Sequence, residues 1–173
     1  LVDTAEGALQ ETHTLLLRMR EIGVQAANGT LSTSDNQALD AEFQQLVKEI
    51  DRIAQNTTWA GAALLNGDGG TVDTSETFSF QAGVGNNSGA DVFSVTVKNA
   101  DAITLDIFVA NATVATDNDV NLLSQTSAGS AITAVDAAIA TVSSERANLG
   151  AVSNRMASTM ANLDQIRVNL TAS

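Results

Sequence analysis

The sequence predicts a mainly α protein with a small β part (α+β): an elongated antiparallel bundle of long helices with an inserted β-hairpin. Three observations carry this. Apolar residues recur three and four apart towards both ends of the chain, the spacing changes to two in the middle, and no Pro interrupts either pattern over 173 residues. Aromatic residues make up 3% of a chain that is 44% apolar, so the core must be built from Ala, Leu, Ile and Val, which suits closely approaching helices.

The first helix is expected over about Asp3 to Asn28. Ala5, Ala8, Thr12, Leu15, Met19, Ile22 and Ala26 form a seam of about three heptads. Leu9, Leu16 and Gly23 form a second stripe beside it, which implies more than one partner helix. Asn28-Gly29-Thr30 reads as a helix stop, with Gly in the left-handed cap conformation. Ser34 with Gln37 reads as a capping box opening a second helix, Asp35 to Gln55, whose seam is Leu39, Phe43, Leu46, Ile50 and Ile53. The short link makes the two helices an antiparallel hairpin.

Asn56 to Gly70 has no clear period and ends in the loop-forming Asn66-Gly67-Asp68-Gly69-Gly70. Phe78, Phe80, Ala82 and Val84 then alternate with polar or small residues, as do Phe93, Val95 and Val97. These read as the two strands of a hairpin around the turn-rich Asn86 to Gly89, with Ile103, Leu105 and Ile107 as a possible third strand. Asn111 to Ser127 is polar and reads as loop.

From Ser130 to Thr171 the helical spacing returns through Ile132, Val135, Ile139, Val142, Leu149, Val152, Met156, Met160, Leu163, Ile166 and Leu170. A continuous helix of that length would be about 60 Å long, so the stripe needs other long helices beside it. The resulting division is 1–66 as the N-terminal half of a helical core, 67–127 as the hairpin region with a very small variable outer segment, and 128–173 as the C-terminal long helix. Ile50 and Leu163 both fall on seams, so Ala at either is expected to cost about 2–5 kcal/mol. With its seams satisfied inside the bundle, the chain is expected to be a monomer. Leu1-Val2-Asp3 enters a helical pattern at once and Thr171-Ala172-Ser173 leaves one, so both ends are expected to be cut from longer helices.

Composition narrows the function. The net charge of −12, from 20 acidic and 8 basic side chains, disfavours nucleic acid and anionic membranes as partners. The chain has no Cys, hence no thiolate metal site and no disulfide framework. No apolar run approaches the length of a membrane span, so no membrane insertion is expected. The one His, His13, has no nucleophile and orienting group at supporting spacing. Gly83-Val84-Gly85 sits inside a hairpin rather than between strand and helix, which disfavours a phosphate cradle. Asp68 and Asp117-Asn118-Asp119 do not continue into a twelve-residue calcium loop. No catalytic, metal or cofactor residue is therefore expected. Arg18, Arg20, Glu21, Glu42, Lys48, Glu49, Asp51 and Arg52 lie off the seams. They form either a solvated face or a surface that meets a neighbouring subunit.

Several stretches resemble bacterial flagellin. Thr4-Ala5-Glu6-Gly7-Ala8-Leu9, Leu17 to Thr30, Glu49-Ile50-Asp51-Arg52-Ile53, Asn56-Thr57-Thr58-Trp59-Ala60-Gly61 and Leu64-Leu65-Asn66-Gly67 are similar to its N-terminal core. Ala134 to Ile139 and Arg146 to Met156 are similar to its C-terminal core. The resemblance implies a structural subunit of the extracellular flagellar filament, packing against other subunits for motility, with no enzymatic activity. It implies a core fragment lacking the terminal polymerisation helices, and an outer domain tiny or absent. The related hook–filament junction protein is the nearest alternative, disfavoured by Leu64-Leu65-Asn66-Gly67 and the Leu149 to Met156 motif. A surface adhesin binding an external polysaccharide or cation is another. Many flagellins are also bound by a vertebrate innate immune receptor, Toll-like receptor five. The matching contact residues here are Arg18, Ile22 and Glu42, with Arg18 and Ile22 one turn apart on the first helix.

Overall fold

The computed structural model describes residues 1–66, 76–81, 92–102, 104–107 and 120–172. Three helices carry the fold: α1 (Val2–Ala26), α2 (Thr33–Asn56) and α3 (Gln125–Ala172). α1 packs against both of the others. It runs antiparallel to each: Arg18 of α1 pairs with Glu42 of α2, while Arg20 and Glu6 pair with Asp136 and Arg146 of α3. Both stripes seen in the sequence of α1 are used. Ala5, Thr12, Met19, Ile22 and Ala26 are buried, and so are Leu9, Leu16 and Gly23. A Cβ on Gly23 would come within 3.0 Å of Ile132 Cγ1, so the missing side chain lets α1 and α3 approach closely.

The helix ends differ in detail from expectation. α1 is closed by Ala27 in ordinary right-handed geometry (φ −69°), with Ala27 N–H donating to Gly23 O. Gly29 takes no left-handed φ; among the described glycines only Gly61 does. The capping box of α2 lies two residues earlier than expected, on Ser32 and Asp35 rather than Ser34 and Gln37. Asp35 N–H donates to Ser32 Oγ at 3.3 Å, and Ser32 N–H donates back to Asp35 Oδ2 at 3.1 Å. A carboxylate is a stronger acceptor than an amide and suits the positive helix end. These bonds from Ser32 hold the Asp35 carboxyl below the usual range.

Between α2 and the hairpin lie two short strands, β1 (Thr58–Trp59) and β2 (Ala62–Ala63), paired antiparallel. Their two-residue turn puts Ala60 (φ 52°) and Gly61 (φ 87°) in left-handed geometry, as a twisted hairpin requires. Strands this short leave no periodicity to read. The expected hairpin is present as β3 (Glu76–Gln81) and β4 (Val92–Val97), with Phe78 opposite Val95 and Phe80 opposite Phe93. Trp59 meets the edges of Phe78 and Phe80 at centroid distances of 6.1 and 6.2 Å. The expected strand residues Ala82 and Val84, the turn at 86–89 and most of the polar 111–127 stretch lie outside the described residues.

Of the possible third strand, Ile103 lies outside the described residues, and Leu105 and Ile107 are not in a strand. Leu105 N–H donates to Asp101 O and Ile107 N–H to Ala102 O, both at 3.0 Å, so this stretch is wound into turns. Asp106 sits at φ 55°, a left-handed geometry incompatible with a strand. Leu105 and Ile107 are buried all the same, which is why they mimic strand alternation.

α3 has 48 residues and starts at Gln125, so the expected boundary at 127/128 falls within it. At 1.5 Å per residue it is about 70 Å long. Its first half is covered: Ala128, Ala131, Val135, Ala138, Val142, Glu145 and Leu149 are buried. Val152 and Met156 are half-buried. Beyond them the stripe opens to solvent, with Met160 64%, Leu163 40% and Val168 54% exposed. Leu163 is therefore not a core residue, and the expectation that the bundle satisfies every seam fails there. The antiparallel pairing explains the exit. Glu6 faces Arg146, so α1 ends only a turn or so later along α3 and nothing described covers the remainder.

Candidate functional site

Arg18 and Glu42 lie side by side on the surface. Arg18 Nη2 and Nε donate to Glu42 Oε1 at 2.7 and 3.1 Å, and Nη1 donates to Glu21 Oε2 at 3.2 Å. The pair thus ties α1 to α2 across the surface, with the Arg18 and Glu42 side chains 51% and 44% exposed. The hydrogen bond to Glu42, then that to Glu21, pushes the already high Arg18 pKa further up, so the guanidinium stays charged. Leu17 and Val24 are exposed apolar residues on the same helix.

Ile22 does not join them. It is 1% exposed and belongs to the core. Four residues along a helix advance the side chain by about 40° around the axis, enough to take Ile22 from the rim into the α1 seam. Arg18, Glu42 and Glu21 are exposed on this face, with Ile22 holding α1 in place beneath.

A second surface is the uncovered half of α3. Its first turn is braced from the hairpin, where the Arg155 guanidinium lies 4.8 Å from the centre of the Phe93 ring. Further along, Met160 and Leu163 are exposed, and Asp164 and Arg167 form an i,i+3 pair at 3.6 Å. The spacing that makes Val142 and Leu149 core residues is the same spacing that makes Leu163 a surface one.

Sequence reasoning also missed how the irregular crossover is held. Asp51 Oδ1 accepts Ala102 N–H at 2.8 Å, Asp40 Oδ1 accepts Leu122 N–H at 2.8 Å, and Glu145 Oε1 accepts Lys98 N–H at 3.2 Å. Asp101 Oδ1 accepts Thr104 N–H at 2.8 Å within the crossover itself. Carboxylates on α2 and α3 thereby satisfy backbone donors that have no ladder or helix to join. Burial is the main reason the Asp51 carboxyl is pushed up; the Ala102 bond opposes this and the nearby Asp101 adds to it. These tethers join positions 47 to 82 residues apart, and no local pattern signals them.

Among the described residues no group of three or more His, Cys, Asp or Glu side chains is placed to hold a metal ion. No described helix is long and apolar enough to cross a membrane.

Residues 1–69 match the family model for the bacterial flagellin N-terminal helical region, and residues 132–173 match the one for the C-terminal helical region. The flagellin of Halalkalibacterium halodurans is 40% identical over 172 residues, covering 99% of this chain and 57% of that protein. The flagellin of Bacillus subtilis is 38% identical over 190 residues, covering 99% of this chain and 62% of its own length. The chain thus spans about three fifths of these curated relatives. The crystal structure of Bacillus cereus flagellin superposes with a TM-score of 0.71 at 28% identity, over 93% of this chain and 82% of that one.

Proposed function

The chain belongs to the bacterial flagellin family, and from that premise we propose that it is a structural, non-enzymatic subunit of the extracellular flagellar filament, packing against further flagellin subunits. The observation that carries this is the uncovered half of α3, where Met160, Leu163 and Val168 lie exposed on a helix that has left its own bundle. Exposed apolar residues in series on a rigid helix mark a protein–protein contact. In this reading 1–66 and 128–173 are the two halves of the packing core, and 67–127 is the hairpin region and a very small outer segment.

The test is filament incorporation of full-length flagellin carrying Met160→Lys with Leu163→Lys. Both side chains are exposed, so helicity and melting temperature should stay near the parent's while incorporation falls. Filaments formed at the parental yield would reject the reading.

The Arg18–Glu42 face is proposed to meet a neighbouring subunit or, in free monomer, the vertebrate innate immune receptor. Arg offers a planar fork of donors on a long apolar stem, a combination favoured at interface anchors. A receptor reporter assay should show a signal from the parent that drops with Arg18→Ala and with Glu42→Ala. Equal signals from all three proteins, or none from the parent, would exclude the receptor as a partner.

A further inference from the structure

We propose that Asn28, in the turn between α1 and α2, is a site of spontaneous deamidation in the folded protein. The turn occupies the six residues between Ala26 and Thr33, and Asn28 is exposed in it. Gly29 follows, so no Cβ shields the backbone nitrogen next to the Asn28 amide. Among the described residues no hydrogen bond holds the Asn28 side chain, and the Gly29 N–H donates to no described backbone carbonyl. Only the Asn28 backbone is engaged: its N–H donates to Gln25 O at 3.1 Å and its carbonyl accepts Leu31 N–H at 3.4 Å.

The chemistry needs only water. The Gly29 nitrogen attacks Asn28 Cγ and gives up its proton to water or hydroxide. The leaving nitrogen takes a proton from water, the Cγ–Nδ2 bond breaks and ammonia departs, leaving a five-membered imide. Water then opens the imide at either carbonyl, giving aspartate or, with one extra backbone carbon in the turn, isoaspartate. Each event adds one negative charge to a chain that already carries −12.

Asn56 and Asn148 lack one or more of these features. Asn56 Nδ2 donates to Arg52 O at 2.7 Å, and the next residue, Thr57, is β-branched with its N–H bound to Ile53 O at 3.0 Å. Asn148 lies inside α3, with Nδ2 donating to Glu145 Oε2 at 3.4 Å, and Leu149 follows it. A helical backbone amide is fixed and bonded, so it cannot swing onto the preceding side chain. Asn and Gln are the thermolabile amides of proteins, and the exposed turn leaves this one open to attack.

The test is incubation of the folded protein at mildly alkaline pH, followed by peptide mapping with mass spectrometry and an isoaspartyl methyltransferase probe. The same protein in denaturant serves as the reference. Asn28 should convert in the folded protein at close to its unfolded rate, while Asn56 and Asn148 convert only when unfolded. Peptides separate Asn28 from the other Asn-Gly pair, Asn66-Gly67. Gly29→Ala should slow Asn28 severalfold. It should still fold, since a Cβ there meets Gln125 atoms no closer than 3.8 Å, an ordinary contact. Asn28 left intact in the folded protein while it converts in denaturant would overturn the proposal. So would unchanged conversion in the Gly29→Ala variant.

Discussion

The two halves of α3 have nearly the same apolar spacing and opposite surroundings. Over 128–149 the stripe faces α1 and is largely buried; beyond it Met160, Leu163 and Val168 stand in solvent. Periodicity says which side chains share a face. It does not say whether anything covers that face, which depends on where a partner helix ends. The Glu6–Arg146 pair, with Nε and Nη2 of Arg146 donating to Glu6 Oε1 at 2.9 and 2.8 Å, lies near that end.

Leu149 and Leu163 give the largest contrast. Leu149 is 1% exposed, so Leu149→Ala removes a side chain that cannot be replaced by solvent and should cost about 2–5 kcal/mol in urea unfolding. Leu163→Ala should change stability by less than about 0.5 kcal/mol, as surface substitutions do. Equal losses would mean that the second half is covered in solution, and the comparison would break.

A smaller effect is expected at Glu145, which is 5% exposed and belongs to the covered half. Glu145→Ala leaves the Lys98 N–H without its acceptor and should cost about 1–3 kcal/mol. Its effect should appear first in the hairpin, read as faster amide exchange in β4.

The smallest effect is a pH dependence. Asp51 has its carboxyl pushed up by burial, so the fold favours the protonated form relative to the unfolded chain. Its contribution is fully present below the ordinary Asp range and is lost as pH rises through the raised value. Asp51→Asn should therefore remove part of the fall in melting temperature over that rise, and leave the protein at neutral pH as stable as the parent or slightly more so. Asp35 and Glu49, lowered respectively by Ser32 and by Arg52, act in the opposite sense, stabilising above the ordinary carboxyl range and losing that contribution in acid. A parent and Asp51→Asn variant with superimposable pH profiles would show that this tether carries no linkage.

Much of the fold was legible because helices of this length repeat their rule many times. The three long helices and the presence of a hairpin follow from spacing, but its register does not, and the buried line of α2 is Phe43, Val47, Ile50 and Ala54, with the expected Leu39, Leu46 and Ile53 half-buried beside it. Errors arose where one residue decides. Ser32 and Ser34 are both plausible caps, and the reciprocal bond from Asp35 selects the first. Leu105 and Ile107 alternate like a strand because turns can also bury every second residue. Ile22 is expected both in the seam and at the contact, and it is 1% exposed in the core. The tethers from Asp40, Asp51 and Glu145 were not legible, since each satisfies a backbone donor far away in sequence.

The central claim is that the second half of α3 is an assembly face left open by its own bundle. Amide hydrogen exchange along α3, in free full-length protein and in filaments, tests it most directly. In the free protein, protection should be high over 128–149 and fall beyond Val152, and in filaments residues 157–168 should become protected. Uniform protection along α3 in the free protein, or unchanged fast exchange of 157–168 in filaments, would contradict the account.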